Sequence, residues 1–231
     1  MANNIKLQLA EAVRLYRVPP EAASLLAQHK PLLIAGATAA GKGAVADFIN
    51  QNSEYGHVIT HTTRPSRADE ENGKDYWFVS DEEMLELLRT NRMVEVKIIH
   101  NHATYGVSIK SYRATVDSGR KPLLIIDVQG AEDIAKHVPD LQAVFLLPPS
   151  FEVWMERLDK RGHMSHVERS RRLQSARQEI EHALKSRYFN LYVNRDVNSA
   201  AQDILRGAVI LSEQHHNREL AQQLLDHIRA Y

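Results

Sequence analysis

The chain has 231 residues, 43% hydrophobic and 25% charged, and its 29 Lys and Arg balance 29 Asp and Glu. This excludes a disordered, collagenous or coiled-coil chain and sets the expectation of one globular domain with modest extensions; charge neutrality excludes nucleic-acid binding through a strong global positive field, so any anion site must be built locally. The chain has no cysteine, which removes disulfides, thiolate metal sites and cysteine nucleophiles, and it has no apolar run near the roughly 20 residues of a membrane helix, so a cytoplasmic protein with no nucleic-acid or membrane partner is expected.

In chain order, residues 4–17 put Ile5, Leu9, Val13 and Tyr16 on one helical face, Pro19-Pro20 stops that helix, and Glu21 to His29 forms a second short one. Residues 1–30 thus read as an N-terminal helical extension. From Pro31 an apolar run, Pro-Leu-Leu-Ile-Ala, meets a glycine-bearing loop at Gly36 and then a helix over Ala44 to Asn50. Two further apolar runs, Pro122 to Asp127 and Ala143 to Leu147, flank a helical stretch at Ala131 to Lys136, the alternation of parallel strands joined by crossover helices. An α/β fold with a parallel sheet core follows. Between these units lies a polar, turn-rich section, Thr60 to Ser108, with β-like pieces at Tyr76 to Val79 and Met93 to Ile99 around a helix at Asp81 to Arg89; it reads as an inserted substrate-binding subdomain. Residues 151–185 are helical and basic, broken at Gly162 and the His163 to His166 turn, which suits either a mobile lid or a solvated helix pair. A last strand near Leu191 to Val193 and a helix carrying Leu220, Leu224 and Ile228 close the chain.

Gly36-Ala37-Thr38-Ala39-Ala40-Gly41-Lys42 fits GxxxxGK after a strand and before a helix. The glycines allow successive N–H groups to point inward, the helix N-terminus adds partial positive charge, and Lys42 adds a full one, so phosphate binding is expected; a structural Gly-rich turn is the alternative. The next residues are Gly43 and Ala44, where a Ser or Thr hydroxyl would ligate Mg²⁺. The metal would then rest on water and a carboxylate, with Asp127 at a strand end the candidate, although an Asp there can equally cap the chain. The histidine pairs His100/His102, His163/His166 and His215/His216 sit in no zinc-binding frame.

A phosphate loop does not by itself separate a hydrolase from a transferase; a second anion pocket does. Thr60-His-Thr-Thr-Arg64-Pro-Ser-Arg67, with Tyr76 and Tyr105, could grip one phosphate through charge-assisted and hydroxyl hydrogen bonds. The order TTRPSRxxExxGKDYWFVS, Val94-Glu95, Tyr105-Gly106, IIDVQGAEDI, FLLPPS, ERLDKRG and SRRL strongly resembles guanylate kinase, over about Pro31 to Gly207. The resemblance implies a P-loop nucleoside-monophosphate kinase fold: a domain over 31–207 with an NMP-binding part at about 60–110 and a helical lid at about 151–180, followed by a C-terminal helical extension at 208–231. It implies transfer of the ATP γ-phosphate to GMP or dGMP with Mg²⁺, by a monomer or homodimer. Residue by residue, it implies that Lys42, Arg64, Arg161 and Arg172 form the catalytic set. Residues Gly36 to Ala44 with Arg161, Arg172 and Asn194 would meet ATP. Thr60, Arg64, Arg67, Glu70, Tyr76, Glu95, Tyr105 and Asp127 would form the GMP site, Glu70 supporting the arginines, Glu95 receiving guanine N1–H and N2, and Asp127 lying near the guanine amine and the metal.

Four positions depart from the family pattern: Val107 and Ile125 replace polar groups, Gly43-Ala44 lacks the hydroxyl, and Arg195 replaces an acid. Two rival readings stand beside a GMP kinase. One is a kinase of the same fold with another acceptor, such as ribose 1,5-bisphosphate, which would leave Glu95 with little to do. The other is a non-catalytic phosphopeptide-binding module, which would have no use for Lys42 or the lid arginines.

Overall fold

The computed structural model describes residues 2–99, 103–160, 164–207 and 213–231. The chain divides into two compact units, one comprising 1–31, 56–122 and 132–140, the other 32–55, 123–131 and 141–231.

The second unit carries the parallel sheet. Its strands include β1 (Leu32–Gly36), β7 (Lys121–Ile125), β8 (Gln142–Leu147) and β9 (Phe189–Val193), and β1 pairs in parallel with β7 and β8, as β8 does with β9. With β2 (Tyr55–His57) the strand order is β2-β7-β1-β8-β9. Every residue of β1 is buried, as expected of a strand covered on both faces, which is why its sequence is a continuous apolar run. The covering helices of this unit are α3 (Lys42–Asn52), α7 (Phe151–Asp159), α8 (His166–Lys185), α9 (Val197–Leu205) and α10 (Gln214–Ala230). α3 packs on α9, and α10 packs on α8 and β9. The expected face of α10 is widened rather than moved: Ala221, Leu224 and Leu225 are buried, and Asn217 joins them by donating from Nδ2 to the Leu191 carbonyl at 2.9 Å.

The first unit holds a four-stranded sheet of order β4-β3-β6-β5, made of β3 (His61–Thr62), β4 (Trp77–Phe78), β5 (Met93–Ile99) and β6 (Ala103–Ser108). α4 (Asp81–Arg89) begins with a full capping box between Ser80 and Glu83 and turns Met84, Leu85 and Leu88 inward. The N-terminal helix α1 (Ala2–Leu15) packs on α4 and β5; α2 (Pro20–Gln28) starts on Pro20, whose missing N–H costs nothing at a helix start. The remaining helices are α5 (Ile109–Asp117) and α6 (Val128–Ala135). Sequence periodicity anticipates α4 and β5 to the residue, and places the other expected elements within a few residues. β2, β3, β6, α5 and α9 have no counterpart among the expected elements. No helix among the described residues is long and apolar enough to cross a membrane.

Candidate active site

The loop between β1 and α3 is shaped by its backbone. Ala39 and Gly41 both have positive φ, 59° and 95°. Glycine is required at 41, where a Cβ would lie 2.3 Å from Nδ2 of Asn194. The first turn of α3 follows with no side-chain cap at Gly41. Six other helices, α4, α5, α6, α7, α8 and α9, do carry one, from Ser80, Ser108, Asp127, Ser150, Ser165 and Asp196. The macrodipole at the α3 N-terminus favours an anion there.

Lys42 lies over the same loop and donates from Nζ to the carbonyls of Gly36 and Ala37, the latter at 3.1 Å. The loop is braced from behind. Trp154 of α7 donates from its indole to the Thr38 carbonyl at 2.7 Å, and Asn194, 1% exposed, donates from Nδ2 to the Ala40 carbonyl at 2.8 Å. Arg157 donates to the Asn194 carbonyl at 3.1 Å and has a second nitrogen, Nη1, buried without a hydrogen-bond partner among the described residues.

Asp127 sits at the end of β7, where its Oδ1 accepts from the N–H groups of Gln129 and Gly130 at 2.8 and 3.1 Å. It therefore caps the start of α6. In the same unit the Glu179 carboxyl of α8 is in electrostatic contact with Lys42 and Asp127; burial pushes its pKa up, Asp127 adds to that, and Lys42 opposes it. No group of three or more His, Cys, Asp or Glu capable of holding a metal occurs among the described residues. One or two carboxylates beside a phosphate loop fit magnesium, which keeps much of its water and binds chiefly to substrate phosphates. His215 and His216 pair instead with Glu219 on the surface of α10. Other members of the expected histidine pairs, His100, His102 and His163, lie outside the described residues, as does Arg161.

Of the expected acceptor residues, Arg64, Arg67, Glu70, Tyr76 and Tyr105 form one cluster in the first unit. Arg64 donates from Nη2 to Glu70 Oε1 at 2.8 Å and from Nε to the Tyr105 hydroxyl at 3.1 Å, and its guanidinium lies 5.4 Å from the centre of the Tyr76 ring. Tyr76 and Tyr105 meet edge to face with centroids 6.0 Å apart. Glu70 Oε2 accepts from the Arg67 N–H at 2.8 Å, while the Arg67 side chain remains largely exposed. Burial works against the Arg64 charge, but the bonds to Glu70 and Tyr105 outweigh it and raise its pKa. The bond from Arg64 in turn holds the Glu70 carboxyl below the usual carboxylate range. Thr60 is buried beside this cluster's sheet, its carbonyl accepting from Trp77 N–H at 2.9 Å.

Glu95, 4% exposed, lies on β5 opposite Val107 of β6. It lines a cleft of about 330 Å³ with Tyr16, Arg17, Lys97 and Asp133 among others. On α8, Arg172 donates to Glu168 at 2.8 Å, one turn earlier on the helix. The sequence reading missed Trp154, Arg157 and Glu179. Glu179 carries a detectable signal: it lies seven residues, two helical turns, beyond Arg172 and so on the same face of α8. Trp154 and Arg157 lack any motif, because their contacts are to backbone carbonyls distant in sequence.

The sequence profile of the family described as guanylate kinase matches residues 28–209. A guanylate kinase of Leifsonia xyli subsp. xyli is 32% identical over 196 residues, covering 84% of this chain and 76% of its own. One from Streptococcus thermophilus (strain CNRZ 1066) is 36% identical over 178 residues, covering 76% of this chain and 83% of its own. The crystal structure of guanylate kinase from Anaplasma phagocytophilum aligns with a TM-score of 0.57 at 28% identity, covering 78% of this chain and 86% of that one.

Proposed function

The chain belongs to the guanylate kinase family, and from that premise we propose how its own residues carry a phosphoryl group from ATP to GMP. The donor triphosphate lies on the loop 36–44, where uncapped α3 amides and Lys42 face its terminal phosphates. The acceptor phosphate is gripped by Arg64 and Arg67 with the Tyr76 and Tyr105 hydroxyls, and Glu70 keeps the arginine fork aimed. Glu95 receives N1–H and the amine of guanine, and adenine, with no donor at N1, offers that buried carboxylate no such bond. Thr60, buried in the first unit, belongs to the same acceptor site, and dGMP is taken as an acceptor beside GMP.

A phosphate oxygen of GMP attacks the γ-phosphorus, the bond from that phosphorus to the β-bridging oxygen breaks, and ADP leaves with the bond electrons. Magnesium carried on the ATP phosphates supplies charge neutralisation, with Asp127 and Glu179 the residues that would hold its water shell. The protein contributes alignment and fixed positive charge rather than a nucleophile. Arg161 and Arg172 of the lid add charge around the transferring group. Asn194 serves ATP through the loop it braces, and the four departures in sequence leave Lys42, Arg64 and Glu95 in place.

The observation that carries this reading is the Arg64–Glu70–Tyr105 network: a guanidinium pinned on two sides within the first unit, in a chain whose second unit already has a phosphate loop. ADP release should be measured with ATP and Mg²⁺ against GMP, dGMP, AMP, UMP, CMP and ribose 1,5-bisphosphate. GMP and dGMP should raise release far above the acceptor-free rate, and the others should not. Stimulation by ribose 1,5-bisphosphate alone, or by no acceptor, contradicts the reading.

A further inference from the structure

The N-terminal helix lies before the segment that the family profile matches, yet it packs on the strand that carries Glu95. Leu9 of α1 enters one apolar cluster with Met84, Leu85 and Leu88 of α4 and Met93 and Val96 of β5, and Ile5, Val13 and Tyr16 pack around it. Just past the helix end, the Tyr16 hydroxyl accepts from the Met93 N–H at 3.1 Å and donates to the Met93 carbonyl at 2.9 Å. Burial pushes this phenol's pKa up, so it keeps the proton it donates.

Met93 is where such a clamp matters. β5 is an edge strand of the β4-β3-β6-β5 sheet, so its outward N–H and C=O groups have no neighbouring strand to bond. Here one hydroxyl serves both. The β5–β6 ladder also shifts register between Met93, opposite Ser108, and Glu95, opposite Val107. A bulge leaves one residue unpaired and re-aims the side chains after it, and a one-residue slip would send Glu95 to the face now occupied by Val96, in the apolar cluster. The other side of the bulge is held by Gly106, where a Cβ would come within 2.6 Å of the Glu95 carbonyl oxygen.

We propose that Tyr16 is a positioning residue for the acceptor: its hydroxyl fixes β5 at the bulge and so sets the direction of the Glu95 carboxylate, making the N-terminal helix part of base recognition. This rests on the reading of Glu95 as the guanine-binding carboxylate.

The test uses the full chain, the Tyr16→Phe variant, and Ile5→Ala as a control that loosens the same helix without touching the clamp. Tyr16→Phe should raise KM for GMP about tenfold, the effect of losing roughly one net hydrogen bond's worth of positioning, with KM for ATP unchanged and the GMP-over-AMP preference reduced. Amide exchange at Met93 to Glu95 should quicken in Tyr16→Phe and not in Ile5→Ala. An unchanged KM for GMP in Tyr16→Phe overturns the proposal, as does an equal rise in Ile5→Ala. Should the parent chain show no GMP-dependent ADP release, the acceptor assignment fails on its own. Amide exchange then still decides the clamp: selective quickening supports it and unchanged exchange overturns it.

Discussion

In the loop after β1, the groups facing an anion are backbone amides, set by left-handed residues at Ala39 and Gly41 and backed by Trp154 and Asn194. In the sheet of β3 to β6 they are a guanidinium and two phenols, set by Glu70 and by ring packing on Tyr76. The first construction depends on dihedral angles, so it tolerates little change in backbone or in the side chains that brace it from behind. The second depends on a charge pair that is itself partly exposed, so it tolerates backbone change and little change in side-chain chemistry. On the proposed function one protein holds two phosphates by two different means, and substitutions should separate them.

The largest separation is expected from Lys42→Ala, which removes the full charge from the loop: kcat/KM should fall about a hundredfold or more, while GMP binding measured by calorimetry stays near that of the parent. The mirror case is Arg64→Ala. It deletes the fork and strands the Glu70 carboxyl, so GMP affinity should drop by about a hundredfold while ATP binding is unaffected. A smaller effect is expected from Asn194→Ala, which leaves the buried Ala40 carbonyl without its donor; KM for ATP should rise about tenfold and KM for GMP should not move. If Asn194→Ala raised both equally, the loop would not be the separable element described.

The pH effect falls on stability rather than on either nucleotide. His61 of β3 is held at a pKa of about 4 by burial and by the nearby Lys110 charge. The unfolded ring titrates near 6.5, so the stability contributed by keeping it neutral is complete above about pH 6.5 and is lost as pH falls toward 4, on the order of 3 kcal/mol at the limit. Thermal unfolding followed from pH 7 to 4.5 should show this slope in the parent, and His61→Phe should flatten it. An equal slope in both proteins would place the acid sensitivity elsewhere.

The two constructions also differed in how readable they were. The loop is legible from seven residues because each carries a mechanism: glycine for the left-handed turn, lysine for charge, an apolar strand before and a helix after. The arginine cluster is not legible that way, since arginines in a polar loop are common; only their order with Glu70, Tyr76, Glu95 and Tyr105 singled them out. α5 and α9 are amphipathic, burying Ile109, Ser111 and Tyr112 in one and Ala200, Ala201 and Ile204 in the other, so their periodicity was available in the sequence. β6 escaped because Gly106 and the polar residues around it look like a turn until the close approach to β5 gives the glycine its reason. The apolar face of α1 was plain in sequence, but its partner was not: α4 and β5 lie about eighty residues away, a distance that local periodicity cannot bridge. Asp127 was read with two possible duties, and the structure displays the capping one.

Central to the proposed function are two separate anion sites, one for each nucleotide. Amide hydrogen exchange with one ligand at a time tests this most directly. GMP alone should slow exchange in the segments around Thr62 to Arg67 and Met93 to Glu95 and leave Gly36 to Val45 unchanged, whereas a non-hydrolysable ATP analogue alone should slow Gly36 to Val45. Protection by GMP confined to the loop, with none between Thr60 and Ser108, would contradict it.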